Sequence, residues 1–382
     1  MRIAVNAWFL DQPGTGSGQY LRNLLRAMPQ VAPSYRFLLV APPGVGEFRV
    51  PGLQVELERP HSFWRNRAKR VGKVWFEQVT FPRVCRRWGA DVAHVPYWGS
   101  PLQPSAPTVV TVHDLIPMLL PAYRGGPLVR LYTSLAAASA QQAAVVLTDS
   151  QASKRDIERH LHVPPEWVRC IYLAVGDQFS PEATSDDERI RRLYDLPPRY
   201  VLYLAGHDVR KNVAALVESF ATVAQADDDA TLIIGGKLPE RDKPPFYDPR
   251  PLVAELGIED KVRFTGWVEE AHKPAVYRGA ACAVFASWYE GFGLPVLEAL
   301  ACGTPLVTSN VSSLPELLGD AGFAVGPDDV PGLAGAILAC LVNDDLVAEL
   351  GRRGPEQAAK FSWLQTAQKT VTVYEEVASC AS

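Results

Sequence analysis

Short apolar runs rich in β-branched residues recur along this chain at residues 2–7, 36–41, 92–95, 108–112 and 144–148, with helical patterns between them. Strands that alternate with helices pair in parallel, because each parallel pairing needs a crossover long enough to hold a helix. A second series of the same kind occupies 200–205, 231–235, 262–265, 283–286 and 306–309. Between the two lies a polar, proline-bearing stretch, SPEATSDDE, at 180–188, and a domain boundary is expected there. A chain of 382 residues also exceeds what one core holds, about 250 to 300 residues. The pattern predicts an α/β protein of two Rossmann-like, doubly wound parallel-sheet domains, 1–180 and 181–362, facing across a cleft. The last helical pattern, 363–382, is a candidate to cross back to the first domain.

Composition removes several function classes. Apolar residues are 47% and charged residues 21% of the chain, and the formal net charge is −4, so no global field favours nucleic acid. Any anion site must be local. The six cysteines, Cys85, Cys170, Cys282, Cys302, Cys340 and Cys380, are far apart and form no C-x-x-C pair. Buried reduced thiols are expected rather than a disulfide framework or a zinc site. The first residues read directly as a strand with no signal-like apolar region, and the stretch 131–147, broken by Thr133, Ser134, Gln141 and Gln142, makes a poor membrane span. A cytoplasmic protein is expected. The segment 59–87 carries nine cations and one acid, Glu77, with Phe63, Trp64, Trp75 and Phe76 interleaved. It reads equally as a solvated helix with its aromatics in the core or as a peripheral contact on the inner face of an anionic membrane.

In open parallel sheets ligands bind beyond the carboxyl ends of the strands, so the residues after each strand carry the chemistry. The densest such segment is SWYEGFGLPVLEALACG at 287–303. Gly291 and Gly293 permit tight turns and close backbone approach, and Pro295 suits the first turn of a helix. The amides of that helix start favour a phosphate, and Glu298 one turn in has the two oxygens needed to accept from a ribose diol. Glu290 then stands nearer a sugar on that phosphate. Either glutamate alone reads as well as a helix-dipole partner or a solvated turn residue. Together with the glycines and the proline, they point to a donor site.

The run from Glu290 through GFGLPVL to Glu298 resembles the E-x7-E motif of retaining glycosyltransferases of family 4 (group 1), which have the GT-B fold; the resemblance covers nearly the whole chain. It implies that Glu298 binds the ribose, that Glu290 lies at the donor sugar, and that Gly291 and the amides of Phe292, Gly293 and Leu294 serve the sugar or the diphosphate. It also implies a nucleoside diphosphate sugar as donor substrate, GDP-mannose before a UDP-hexose, and a saccharide or lipid-linked acceptor on the side of 1–180.

Other strand ends agree. The segment Gly206-His-Asp-Val-Arg210-Lys211-Asn212 sets two cations at a strand-to-helix turn, suited to neutralising a departing diphosphate. It resembles the family's G-(x)n-R-K-N element, although His207 stands where some members carry an arginine. His113, in VTVHDLIP, ends a first-domain strand and by resemblance lies beside the donor sugar; Asp114 reads better as a turn cap. The loop Gly14-Thr-Gly-Ser-Gly18 lacks the strict dinucleotide spacing, and the resemblance offers Gly16, Ser17 and Gly18 to the diphosphate or the acceptor. Lys237 after Gly236 approaches a phosphate on one reading and is a surface lysine on the other. Val268, after Gly266-Trp267, matches the place where family backbone groups meet the base. The triplet Asp227-Asp228-Asp229 precedes a strand and so falls at the amino edge of its sheet, away from the predicted site. No metal and no other cofactor is expected, because the cations and the helix start supply the charge. Rival readings are a sugar-nucleotide epimerase and a non-catalytic nucleotide-sugar-binding scaffold.

Overall fold

The computed structural model describes residues 1–59, 69–240 and 244–380. The chain forms two compact units, Met1–Leu173 with Ser362–Ser382, and Ala174–Phe361. The division after Leu173 comes ahead of the polar stretch that marked it in the sequence.

The first unit holds seven strands, β1 (Arg2–Asn6), β2 (Arg36–Val40), β3 (Gln54–Glu58), β4 (Val92–Val95), β5 (Thr108–Thr111), β6 (Val145–Thr148) and β7 (Val168–Cys170). They run parallel in the order β3-β2-β1-β4-β5-β6-β7. The second holds β8 (Val201–Leu204), β9 (Leu232–Gly235), β10 (Val262–Gly266), β11 (Cys282–Phe285), β12 (Leu306–Ser309) and β13 (Phe323–Val325). These are parallel in the order β10-β9-β8-β11-β12-β13. In each sheet the chain winds outward from its first strand and then returns to that strand's other side. The order therefore reverses between β1 and β4 and again between β8 and β11, which makes these the crevices where a doubly wound sheet takes a ligand.

The central strands are largely apolar, as expected of strands covered on both sheet faces; every residue of β8 and of β11 is buried. Three strands lay outside the sequence expectation, β3, β7 and β13, and all are edges. An edge strand has one neighbour and less to bury: β3 alternates polar and apolar residues, QVELE, while β7 and β13 have only three residues each.

The helix Trp363–Ser379 belongs to the first unit. Ser362 caps it, accepting from Gln365 N at 3.1 Å, and Val371, Val373, Tyr374 and Val377 are buried as it packs along the helix Gly16–Val31. Its polar anchor is His94 on β4. The ring pairs through Nδ1 with Tyr374 Oη at 2.6 Å and through Nε2 with Thr111 Oγ1 at 2.9 Å. Burial, reinforced by His113, pushes the His94 pKa down to about 3, so a neutral imidazole bridges the helix to the sheet.

A second buried polar group lies in the same unit. Glu77, within a single π-helical turn Phe76–Thr80, has a wholly buried side chain 3.5 Å from Lys73 Nζ and accepts from Tyr132 Oη at 3.0 Å. Gly99 is required beside it, since a Cβ there would lie 2.6 Å from Oε1. Burial outweighs Lys73 and lifts the Glu77 carboxyl from 4.5 to about 7. The folded chain then holds a proton that the unfolded chain releases, so this stability is complete below pH 4.5 and is lost as the pH rises through about 7. The size is on the order of 3 kcal/mol. Glu77→Gln is expected to remove that component, so that urea unfolding shows a smaller stability difference between pH 5 and pH 7.5 in the variant than in the parent; equal differences would refute it.

Of the basic aromatic segment 59–87, Phe63, Trp64, Arg65 and Arg67 lie outside the described residues. In the described part Phe76 and Phe81 are buried, whereas Val71 and Trp75 are 51% and 40% exposed. Among the described residues no single helix is long and apolar enough to cross a membrane. Cys85, Cys282, Cys302 and Cys340 are buried free thiols, while Cys380 is exposed. The Asp227–Asp229 triplet does sit at the amino edge of its sheet, just before β9, with Asp227 paired to Arg199 at 3.0 Å and Asp228 to Lys261 at 3.2 Å.

Candidate active site

In the second unit the loops that follow β8 and β11 meet at the crevice. After β8 the chain makes one 3-10 turn, Val209–Lys211, and enters the helix Val213–Ala226 through Asn212 at φ 52°. That left-handed conformation suits asparagine, whose Nδ2 donates to Pro327 O at 2.8 Å. After β11 the loop runs to Gly293 at φ 110°, and the helix Leu294–Ala301 follows with Pro295 in its first turn. The helix starts one residue before the position expected from the proline.

The loops are joined by main chain and by charge. Trp288 N donates to Arg210 O at 2.8 Å, and Arg210 Nη1 donates to Tyr289 O at 3.0 Å. Glu290 then accepts from Arg210 Nη1 at 2.5 Å on one oxygen, and from Lys211 Nζ at 2.5 Å and Ser287 Oγ at 2.8 Å on the other. Burial alone would raise the Glu290 carboxyl, but Lys211 and Arg210 overcome it and hold the pKa at about 2. Arg210 also pairs through Nε with Asp208 at 3.1 Å. The sequence set Glu290 by the sugar and the two cations at its diphosphate; the structure joins all three directly in one ion cluster. Two serines with no role in the sequence reading hold this loop. Ser312 Oγ accepts from Glu290 N at 2.9 Å, and Ser313 Oγ donates to Phe292 O at 2.6 Å.

Glu298 lies in the helix Leu294–Ala301, 5% exposed. It accepts from Tyr277 Oη at 3.0 Å and lies 3.4 Å from Lys273 Nζ. Burial holds its carboxyl above the usual range against the pull of Lys273. Its neighbours Lys273 and Tyr277, absent from the sequence reading, thus orient it while opposing the effect of burial. Gly291, Phe292, Gly293 and Leu294 form the strand-to-helix passage between the two glutamates. Lys237 is exposed just beyond Gly236, where a Cβ would fall 2.2 Å from Ala205 O. Val268 is buried behind Trp267, which is 57% exposed. His207 is 3% exposed, and burial keeps its pKa below the ordinary value. A neutral buried ring does not replace the charge of an arginine at that place.

In the first unit, His113 follows β5. Its Nδ1 pairs with Asp149 Oδ2 at 2.6 Å, its Nε2 lies 3.3 Å from Pro96 O, and its ring makes a T-shaped pair with Tyr20 at 5.1 Å between centroids. Burial disfavours the charged ring, but the Asp149 carboxylate more than compensates, so the His113 pKa is raised. Asp114 caps the next turn, accepting from Ile116 N at 2.9 Å. In the glycine loop, Thr15 caps the helix Gly16–Val31 by accepting from Gly18 N at 3.2 Å. Gly18 is required by packing, since a Cβ would lie 2.0 Å from Gln12 O, whereas nothing approaches Gly16 within 4 Å. Gly16 and Ser17 therefore form the open first turn, and Gly18 its support. Among the described residues no group of three or more His, Cys, Asp or Glu side chains forms a metal-binding cluster.

The chain matches the model of Glycosyltransferase Family 4 over residues 14–179 and that of Glycosyl transferases group 1 over residues 198–343. It is 32% identical to O-antigen chain mannosyltransferase B of Escherichia coli, over 70% of each chain. It is 30% identical to the MMP alpha-(1->4)-mannosyltransferase of Mycolicibacterium hassiacum, over 100% of both. Its backbone resembles that of sucrose-phosphate synthase from Thermosynechococcus elongatus, with a TM-score of 0.78 at 23% identity over 100% of both chains. With two parallel-sheet units, these matches make the chain a GT-B glycosyltransferase and a member of glycosyltransferase family 4.

Proposed function

We propose that this glycosyltransferase moves a hexosyl group, mannose in the first instance, from a nucleoside diphosphate sugar to a hydroxyl of a saccharide or lipid-linked acceptor, with retention and without a metal. The observation that carries the reading is the ion cluster of Arg210, Lys211 and Glu290 at the crevice between β8 and β11. A diphosphate at that place meets two cations already held in position, so little reorganisation is needed as negative charge grows on the leaving group. The bond from the anomeric carbon to the phosphate oxygen breaks, the acceptor oxygen bonds the same face of that carbon, and the departing phosphate takes the acceptor proton. Glu298 anchors the ribose, the passage from Gly291 to Leu294 presents its amides to the diphosphate and the sugar, and Glu290 and His113 orient the hexose. Gly16, Ser17 and Gly18, with Lys237 and Val268, complete the donor contacts in this proposal. The mannosyltransferase names of two relatives support mannose, and hence GDP as its carrier.

A thermal-shift series with GDP, GDP-mannose, UDP and UDP-glucose tests the donor. A nucleotide present at 100 times its Kd stabilises the folded chain by about 2.7 kcal/mol, several degrees in the midpoint for units of this size. The expected result is a shift with GDP and GDP-mannose. A shift with the uridine pair alone would overturn the base and the sugar, and no shift with any of the four would overturn the donor site. Conversion of donor alone to an isomer would show an epimerase, and binding without transfer or hydrolysis a scaffold.

A further inference from the structure

None of the residues assigned to the donor or to its orientation lines a second concavity in the first unit. A cavity of about 470 Å³ opens along the helix Pro127–Ala140. Arg130, Ser134, Ala138 and Gln141 face it, spaced four, four and three residues apart, so they form one stripe. At 1.5 Å per residue that stripe is about 16 Å long. Basic side chains stand at both ends. Arg124 joins Arg130 at the start of the helix, and His160 and His162 line the far end. There Gln141 Nε2 donates to Leu161 O at 2.8 Å, which ties the helix to the residue between the two histidines.

No aspartate or glutamate lines the cavity. Among the described residues the side chains of Arg130, His160 and His162 have no hydrogen-bonding or ionic partner, and Arg124 has only a 3.4 Å contact from Nε to Met118 O. Unneutralised arginines in a concavity focus the field on whatever enters it. The wall between the two ends is small and carries hydroxyls, so it admits the body of a ligand and offers it hydrogen bonds. A compact anion would reach one end and leave the donors of the other unused.

We propose that this groove binds an acidic oligosaccharide, a chain with carboxylates spaced along a polyol backbone, with its anionic groups at the arginine end and the histidine end. The titratable and charged groups facing the ligand are Arg124 and Arg130 from the first helix and the turn before it, and His160 and His162 from the end of the helix Gln151–His160 and the residues beyond.

Calorimetry on the full chain, without nucleotide, tests this with tetragalacturonate, maltotetraose and tripolyphosphate as probes. Tetragalacturonate is expected to bind at least tenfold more tightly than maltotetraose. Arg130→Ala is expected to weaken it about tenfold or more, the scale of one charge-assisted contact, and His162→Ala to weaken it through loss of the donor at the far end. Both variants change side chains with no partner, and an unchanged unfolding midpoint verifies their folding. Equal binding of maltotetraose, no loss on Arg130→Ala, or no binding at all would overturn the proposal. Tighter binding of tripolyphosphate that is lost on Arg130→Ala would overturn the saccharide assignment in favour of a compact polyanion. No nucleotide enters the measurement, so its failure is separate from failure of the donor reading.

Discussion

Lys211→Ala is expected to lower turnover roughly 10²- to 10³-fold at saturating donor, the scale for losing one preorganised charge-stabilising group. Lys211 is 9% exposed, and its ammonium is already positioned by Glu290, so its charge is delivered in low dielectric and without a search for geometry. Donor affinity should fall less than turnover, because the charge matters most when the leaving group departs. Steady-state kinetics with an unfolding control decide the matter: a loss under about threefold in a folded variant would remove Lys211 from the reaction.

Glu290→Ala is expected to destabilise the ligand-free protein by about 3 kcal/mol at pH 7, because it strands two half-dehydrated cations. Arg210 and Lys211 side chains are only 17% and 10% exposed, so water replaces the lost carboxylate poorly. The parent gains this stability above pH 4.5, the ordinary glutamate value, and loses it as the pH falls through about 2. The variant should accordingly lose less stability than the parent between pH 5 and pH 2.5. A nucleoside diphosphate should restore the variant's midpoint by more than it raises the parent's, since it supplies the missing negative charge to the same cations. An unchanged midpoint, or equal nucleotide shifts in both proteins, would mean that the cluster is neither a structural tie nor a phosphate seat.

Both predictions rest on residues that the sequence marked individually without showing that they touch. The alternating runs made the two parallel sheets legible because central strands are buried on both faces, and a continuous apolar run records that burial. β3, β7 and β13 escaped because an edge strand need not carry the pattern. Glu290, Glu298, Arg210, Lys211 and His113 stood out by following strands, a position with topological meaning. Their partners carried no such mark. Lys211 and Glu290 are 79 residues apart, Tyr277 and Glu298 are 21 apart, and His113 and Asp149 are 36 apart. Pairings of this kind follow from which loops the sheet brings side by side, and local periodicity does not encode them. Ser312 and Ser313 illustrate the point: as a loop they look like any polar turn, and only the fold shows them gripping the main chain on either side of Gly291.

The helix Trp363–Ser379 completes a unit whose other residues end at Leu173. On the ribosome, the first sheet therefore emerges long before the segment that covers it, and all of 174–361 is made in the interval. At about 5 to 20 residues per second, that wait is on the order of ten to forty seconds. Throughout it the seat for Tyr374, with His94 at its base, stands open beside apolar surface. Nascent chains stalled before residue 362 should thus be the aggregation-prone stage of synthesis and the one on which a chaperone acts.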